Sequence, residues 1–304
     1  MSTRIYFTEY GGPNVLQVGP EELPPPGSGQ VRVELRAVGV NPFDWNLVAG
    51  VLKDVAPLEF PSVPGSEAAG VVTEVGPAFE GFAVGDEVIW SGFTGGYRTE
   101  AVVSAEQLTP VPVGVSLEQA ACVPVAGGTA YSALKQLKVG PDDVVLIHAA
   151  AGGVGSAAVQ IAQAFGASVI GTASEDNQDY LRELGAFPVT YGPGLAERVR
   201  AVTEEVGPVT AVLDAVGKEE SVAATVELLP DRSRAVITVS GLHSQEAGIA
   251  KIRLLDGRVR EAATLAAEGL LTFTISQRFP LIEAAEALEA SRTGHVRGKI
   301  VLFP

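Results

Sequence analysis

Residues 143–166 read DVVLIHAAAGGVGSAAVQIAQAFG, an apolar run, a glycine-rich turn and a small-residue helix in immediate succession. Few folds accept that order. Val144–His148 read as a buried parallel strand. Gly152, Gly153 and Gly155, with Val154 between them, let the backbone turn tightly and approach a ligand. Ser156–Phe165 supply a helix whose N-terminal N–H groups and dipole attract phosphate. Strand, turn and helix together predict the first crossover of a doubly wound sheet and a cradle for a diphosphate.

The texture of the chain differs on either side of this stretch. Arg4–Phe7, Gln30–Val40, Ala69–Val75, Glu87–Trp90 and Tyr97–Val103 are β-branched runs separated by Pro/Gly segments such as GPEELPPPGSG. Short strands so closely spaced predict a partly closed barrel. From Leu117, helical stretches at Leu117–Cys122 and Thr129–Leu137 lead into an alternation of strand and helix. Strands are expected at Val144–His148, Ser168–Thr172, Pro188–Tyr191, Ala211–Val216 and Arg234–Val239, with helices at Asn177–Leu184 and Leu195–Glu205. This predicts an α/β fold whose parallel sheet takes ligand at its C-terminal edge. A helix near Leu281–Ala290 and a strand at Lys299–Leu302 return the tail to the first domain. The expected domains are 1–117 with 257–304, and 118–256.

Composition narrows the function. At 304 residues the chain can build two cores, and 46% hydrophobic with 19% charged residues is a globular balance. A formal net charge of −15 argues against nucleic acid or an anionic membrane as partner. An anionic ligand must therefore be held by local dipoles and a few cations. The single cysteine, Cys122, excludes an internal disulfide and a cysteine-rich zinc lobe, and within AACVPVAG it reads as a small core residue. With no basic–apolar leader and no apolar run of bilayer length, a cytoplasmic location is expected.

GVNPFDWNLVAG (39–50), PGSEAAGVVTEVG (65–76), VGDEV (84–88), PVAGGTAYSAL (124–134), HAAAGGVGSAAVQIA (148–162) and GHVRGKIVL (294–302) follow one another along the chain. At this spacing they resemble the zinc-free, zeta-crystallin-like quinone oxidoreductase branch of the medium-chain dehydrogenase/reductases, over nearly the whole chain. The resemblance implies a GroES-like, partly open β-barrel catalytic domain, a Rossmann domain, NADP(H) as cofactor and commonly a homodimer. The segment after Gly241 is shorter than the family pattern.

Zinc-dependent relatives carry a Cys in the loop that here reads Val40–Asp44, and Gly-His-Glu where this chain has Gly65-Ser66-Glu67. Both ligand positions are replaced, and His148, His243 and His295 sit in unrelated segments without helical metal spacing. No catalytic metal is expected. His148 closes a core strand and reads as a hydrogen-bonded structural histidine.

Dinucleotide folds that select NAD place an Asp or Glu about 20 residues beyond the glycine turn. Here the second strand ends in Gly171-Thr172-Ala173-Ser174, small and neutral, so a 2′-phosphate is not repelled and NADPH is favoured over NADH. The resemblance implies that Ser174, Asn177 and Tyr191 hydrogen-bond that phosphate. On their own, Ser174 reads equally as a helix N-cap and Tyr191 as a packing residue. Glu175 and Asp176 stand where relatives often carry Lys or Arg, and must point away from a phosphate. Arg297 or Lys299 neutralises phosphate charge or is a solvated surface cation.

Family precedent places the NPxD loop beside nicotinamide and substrate, which makes Asn41 and Asp44 the candidate catalytic residues and Asn41 a cofactor contact as well. The Asn41 amide donates to an acceptor carbonyl as charge builds, or is a turn-former before Pro42. Asp44 is read as ordering the loop rather than transferring protons. Thr129 resembles the family threonine near the nicotinamide ribose or carboxamide, or is a first-turn helix residue. Ser240 and Gly241, past the fifth strand, are expected to flank the same ring.

Some relatives carry tyrosines shortly after the loop, at positions that here read Asn46 and Leu52, so the obvious proton donor is missing. A quinone that accepts hydride becomes a phenolate-like anion that water protonates, whereas an enolate must be protonated at carbon. The missing tyrosines thus favour a quinone or activated enone. Trp45, Leu52, Phe60, Trp90 and Phe93 are candidate pocket linings. The expected activity is metal-free, NADPH-dependent reduction of such an acceptor. The alternatives are a zinc-free 2-enoyl or alcohol reductase and a non-catalytic NADPH-binding redox sensor.

Overall fold

The computed structural model describes residues 2–78, 80–239 and 241–304. Two compact units emerge, one of residues up to Val125 with Thr274–Pro304, the other Ala126–Phe273. The first begins with β1 (Ser2–Tyr6), β2 (Gln17–Glu21), β3 (Gln30–Val40), β4 (Glu67–Val75), β5 (Glu87–Ser91), β6 (Glu100–Ser104) and β7 (Leu108–Pro110). The second holds β8 (Val144–His148), β9 (Ser168–Ala173), β10 (Phe187–Thr190), β11 (Ala211–Asp214), β12 (Ala235–Ile237) and β13 (Ala250–Lys251). The return segment adds β14 (Ile275–Pro280) and β15 (Lys299–Phe303) to the first.

In the first unit the sheet runs β14-β15-β3-β4-β5-β7, with β6 also on β3, and among its described strand pairs only β14–β15 is parallel. β3 shows why. Val31, Val33 and Leu35 are buried while Arg36 is exposed, the period of a strand with one wet face. From Ala37 to Val40 every residue is buried, so the strand's end is covered on both faces. β15 lies antiparallel to that end, pairing Ile300 with Val40 and Leu302 with Val38. β2 runs through Gly19 and Pro20, in what the sequence reads as a separator. It pairs only with β1 among the described strands, and a proline without an N–H is tolerated on such an edge.

The second unit has the parallel order β10-β9-β8-β11-β12-β13. Its first strand in chain order is central, and connections diverge on either side of β8, which makes the turn after β8 the natural ligand position. All five residues of β8 are buried. The compact units part at Val125/Ala126 and Phe273/Thr274, where the sequence placed the divisions at 117/118 and 256/257. Helix Arg258–Ala267 packs within the second unit because glycines admit it. A Cβ on Gly127 would lie 3.1 Å from Ala262 Cβ, and one on Gly128 3.1 Å from Arg258 Cγ.

Candidate functional site

After His148 the backbone of Ala149 takes a left-handed φ of 55°. The Ala150 N–H donates to the Thr172 carbonyl at 2.9 Å and the Ala149 N–H to Thr172 Oγ1 at 3.3 Å, tying the turn to the end of β9. Gly152 is the extended N-cap, and Gly153, Val154 and Gly155 form the first turn of helix Gly153–Ala164. Their N–H groups have no acceptor within the helix. A Cβ on Gly155 would lie 2.2 Å from the Ala149 oxygen and 2.6 Å from Ala150 Cα, so only glycine allows the helix this close. A Cβ on Gly152 would meet the Ala149 oxygen alone, at 3.4 Å, which leaves that side of the turn open. The turn fits an anionic group. Below it, His148 Nδ1 lies 3.3 Å from Thr172 Oγ1 and Nε2 3.3 Å from Thr225 Oγ1. Burial lowers its pKa, against the opposing charges of Asp214 and Glu220, so it stays a neutral member of the core.

The residues expected at the 2′-phosphate share one end of β9 and β10. Asn177 Nδ2 donates to Ser174 Oγ at 2.9 Å, and the Tyr191 N–H donates to the Ala173 carbonyl at 3.2 Å. The Tyr191 side chain is exposed. Glu175 accepts from Thr190 Oγ1 at 2.9 Å, which turns its carboxylate toward β10. Arg198 was not foreseen here. Its guanidinium donates to the carbonyls of Thr190 (3.0 Å), Gly192 (2.8 Å) and Pro193 (2.7 Å), so it braces the loop that carries Tyr191 with a positive charge. Thr129 is half-buried in the first turn of helix Gly128–Gln136, and Gly241 is the N-cap of helix Leu242–Glu246. Ser240 lies outside the described residues. Arg297 is exposed just before β15.

In the first unit, Asn41 caps helix Pro42–Val48 and Pro42 sits at its first position, where no N–H is missed. Asp44 Oδ2 accepts from the Asn41 N–H at 2.9 Å and from Tyr97 Oη at 3.1 Å. Asp44 therefore orders this segment. The Asn41 amide turns elsewhere. Its Nδ2 donates to Glu67 Oε1 at 2.9 Å, and its Oδ1 accepts from Lys299 Nζ at 2.5 Å. Lys299 Nζ also donates to Glu67 Oε1 (2.8 Å) and to the Val40 carbonyl (3.1 Å), while Glu67 Oε2 accepts from the Val125 N–H at 2.7 Å. Asn41, Asp44, Glu67 and Lys299 are all buried.

Lys299 thus corrects one expectation. Its β15 register opposite the end of β3 buries it against Glu67, so it is neither a surface cation nor a phosphate ligand. The signals were a lone Glu in EAAGVV and a lone Lys in KIVLF, charges inside apolar strands. Burial pushes Asp44 up to about 7, opposed by the Asn41 N–H, aided by the Glu67 charge and again opposed by Lys299 and Tyr97. Burial and the Asp44 charge raise Tyr97 well above its ordinary value. Burial takes the Cys122 thiol up to about 12, leaving it an inert core group.

Of the pocket-lining candidates, Phe93 borders a groove of about 440 Å³ with Pro57, Leu58, Arg4 and Arg98. Trp90 is a core residue at 4% exposure. Among the described residues no group of three His, Cys, Asp or Glu is placed to hold a metal, and no helix is long and apolar enough to cross a membrane.

Residues 27–113 match the alcohol dehydrogenase GroES-like domain family and residues 188–302 the zinc-binding dehydrogenase family. The quinone oxidoreductases of Salmonella typhimurium and Pseudomonas aeruginosa are 33% and 35% identical to this chain, each over the whole of both proteins. A phenolphthiocerol synthesis polyketide synthase of Mycobacterium marinum is 43% identical over 71% of the chain, a match spanning 10% of that longer protein. In structure, Escherichia coli quinone oxidoreductase complexed with NADPH is similar at a TM-score of 0.87 and 30% identity, covering 99% of this chain and 100% of that one. CurK enoyl reductase is similar at 0.89 and 27%, covering 99% of each. With full-length identity to the former group joined to the same two-unit fold, the chain belongs to the medium-chain dehydrogenase/reductase superfamily, among its quinone oxidoreductases.

Proposed function

We propose that this protein is a zinc-independent oxidoreductase that uses NADPH to reduce a quinone or an activated enone. The reading rests on the full-length identity to quinone oxidoreductases together with a glycine turn shaped for a diphosphate. When bound, the dinucleotide supplies the hydride. The chain's own contribution is to hold and orient. Gly152, Gly153, Val154 and Gly155 receive the diphosphate on backbone N–H groups. Ser174, Asn177 and Tyr191, with the Arg198 charge behind Tyr191, favour a 2′-phosphate, and no acid ends β9. Thr129, Ser240 and Gly241 are assigned to the nicotinamide end, and Arg297 to phosphate charge. Asn41 donates through Nδ2 to the acceptor oxygen as negative charge develops, and Asp44 holds the Asn41 backbone in place. Metal-independence is supported by the Lys299 ammonium, which occupies the Glu67 carboxylate. A cytoplasmic, homodimeric enzyme is the companion expectation.

One observation favours a second reading. The polyketide synthase match is more identical than the quinone oxidoreductases over the part it covers, and an enoyl reductase is among the structural neighbours. Reduction of a 2-enoyl thioester is therefore the alternative. Steady-state NADPH oxidation with a panel of 1,4-quinones, enones and crotonyl thioesters decides. Turnover with quinones and not thioesters supports the first reading, and the reverse supports the second. Tight NADPH binding without turnover on any acceptor supports a redox sensor, and an equal kcat/KM for NADH overturns the cofactor assignment.

A further inference from the structure

We propose that Lys299 and Glu67 are positioning residues that fix which edge of the Asn41 amide meets the acceptor. This rests on the reading of Asn41 given above. An amide's oxygen and nitrogen ends are nearly equal in size, so rotation about Cβ–Cγ would exchange a donor for an acceptor at the reacting position. The neighbours forbid it. A lysine ammonium can only donate and a carboxylate, once ionised, can only accept. Lys299 Nζ lies 2.5 Å from Oδ1 and Glu67 Oε1 2.9 Å from Nδ2. A flipped amide would set NH2 against ammonium and carbonyl against carboxylate, where side-chain exposure is 4% for Lys299 and 0% for Glu67. Such like-sign contacts have no water there to relieve their repulsion.

The pair is itself rigidly held. The three ammonium protons of Lys299 meet the Val40 carbonyl, Asn41 Oδ1 and Glu67 Oε1, and Glu67 Oε2 is taken by the Val125 N–H. Gly39 completes the cradle, because a Cβ there would lie 2.1 Å from Glu67 Oε1. Stability alone does not call for such a pair, since well-packed apolar side chains usually serve a core as well or better. The amide nitrogen has two protons and Glu67 takes one. The orientation leaves the other as a donor of fixed direction.

The test compares Lys299→Met, Lys299→Arg and Asn41→Ala, with the Lys299→Met/Asn41→Ala double variant. The first readout is the NMR side-chain amide resonance pair of Asn41 in the full-length protein, identified by its loss in Asn41→Ala. It should shift and exchange faster with water in Lys299→Met and hold in Lys299→Arg. The second readout is turnover. Lys299→Met should lower kcat for 1,4-benzoquinone about 100-fold, leave KM for NADPH at its wild-type value, and add no further loss in the Asn41→Ala background. An unmoved amide signal, or equal losses in both backgrounds, overturns the inference. If Lys299→Met does not fold, Lys299→Met/Glu67→Gln removes both charges together and is judged by the same criteria. A protein that turns over no acceptor fails the proposed function, and the amide signal still decides this inference.

Discussion

The two units build their candidate functional surfaces from different material. In Ala126–Phe273 the surface is backbone, the N–H groups of Gly153, Val154 and Gly155 at a helix start seated against Ala149 and Ala150. In the first unit it is side chain, Asn41 and Asp44 held by Glu67, Tyr97 and Lys299. A backbone surface tolerates many side chains but not an added Cβ at its closest approach. A side-chain network tolerates little, because removing one partner leaves another buried without compensation. Each unit has a glycine where these rules meet, Gly155 in one and Gly39 in the other.

The largest expected effect is Gly155→Val. Its Cβ would fall 2.2 Å from a backbone oxygen that cannot swing away, so the helix must shift. Stability should drop by about 4 kcal/mol and NADPH binding should vanish together. Calorimetric unfolding with a fluorescence titration measures both, and a variant that binds NADPH normally would break the backbone half of the comparison.

Gly39→Ala comes next. Its Cβ meets a carboxylate rather than backbone, so Glu67 is displaced from Lys299 and Asn41. A loss of about 3 kcal/mol is expected, with turnover reduced and the Kd for NADPH unchanged. Loss of NADPH affinity in step with turnover would show that the two surfaces are not separable in this way.

Asp44→Asn sharpens the electrostatic side. Asp44 is raised from an ordinary 3.8 to about 7, so the native state holds its proton over a range in which the unfolded chain has released it. The stability this gives is present below about 3.8 and is lost as pH rises through about 7. The wild-type unfolding free energy should therefore fall relative to that of Asp44→Asn between pH 4 and pH 7, by an amount on the order of a few kcal/mol, and the wild-type Tm should fall with it. A difference in Tm that is constant across that range would remove the protonated carboxyl from the account.

Ser174→Ala should have the smallest effect. It removes the oxygen that accepts from Asn177 at the half-exposed end of β9, so unfolding should hardly change. NADPH should bind about tenfold more weakly and NADH as before. Equal weakening of both would move Ser174 from phosphate recognition to general support of the turn.

Much of the second unit was legible because its features are local. The alternation of strand and helix, the turn at Gly152–Gly155 and the neutral end of β9 all follow from residues near one another in sequence. The first unit was legible as a set of short strands, yet its chemistry was only half visible. The NPxD segment read as a turn or an acceptor loop, and it is the start of helix Pro42–Val48 with its asparagine turned away from the helix. The strand through Gly19 and Pro20 was missed because local propensity outweighed edge position, and Lys299 because nothing near it in sequence says what it pairs with.

Sequence alone determined the fold class, the glycine turn after β8 and the family, since each is written in short-range order that backbone sterics and hydrophobic period convert directly into shape. Only the tertiary structure decided that Lys299 lies on Glu67 and Asn41, across separations of 232 and 258 residues. The physical reason is register. The pairing of Ile300 with Val40 brings a buried ammonium to the end of β3, and no local rule specifies which strand a returning tail will join.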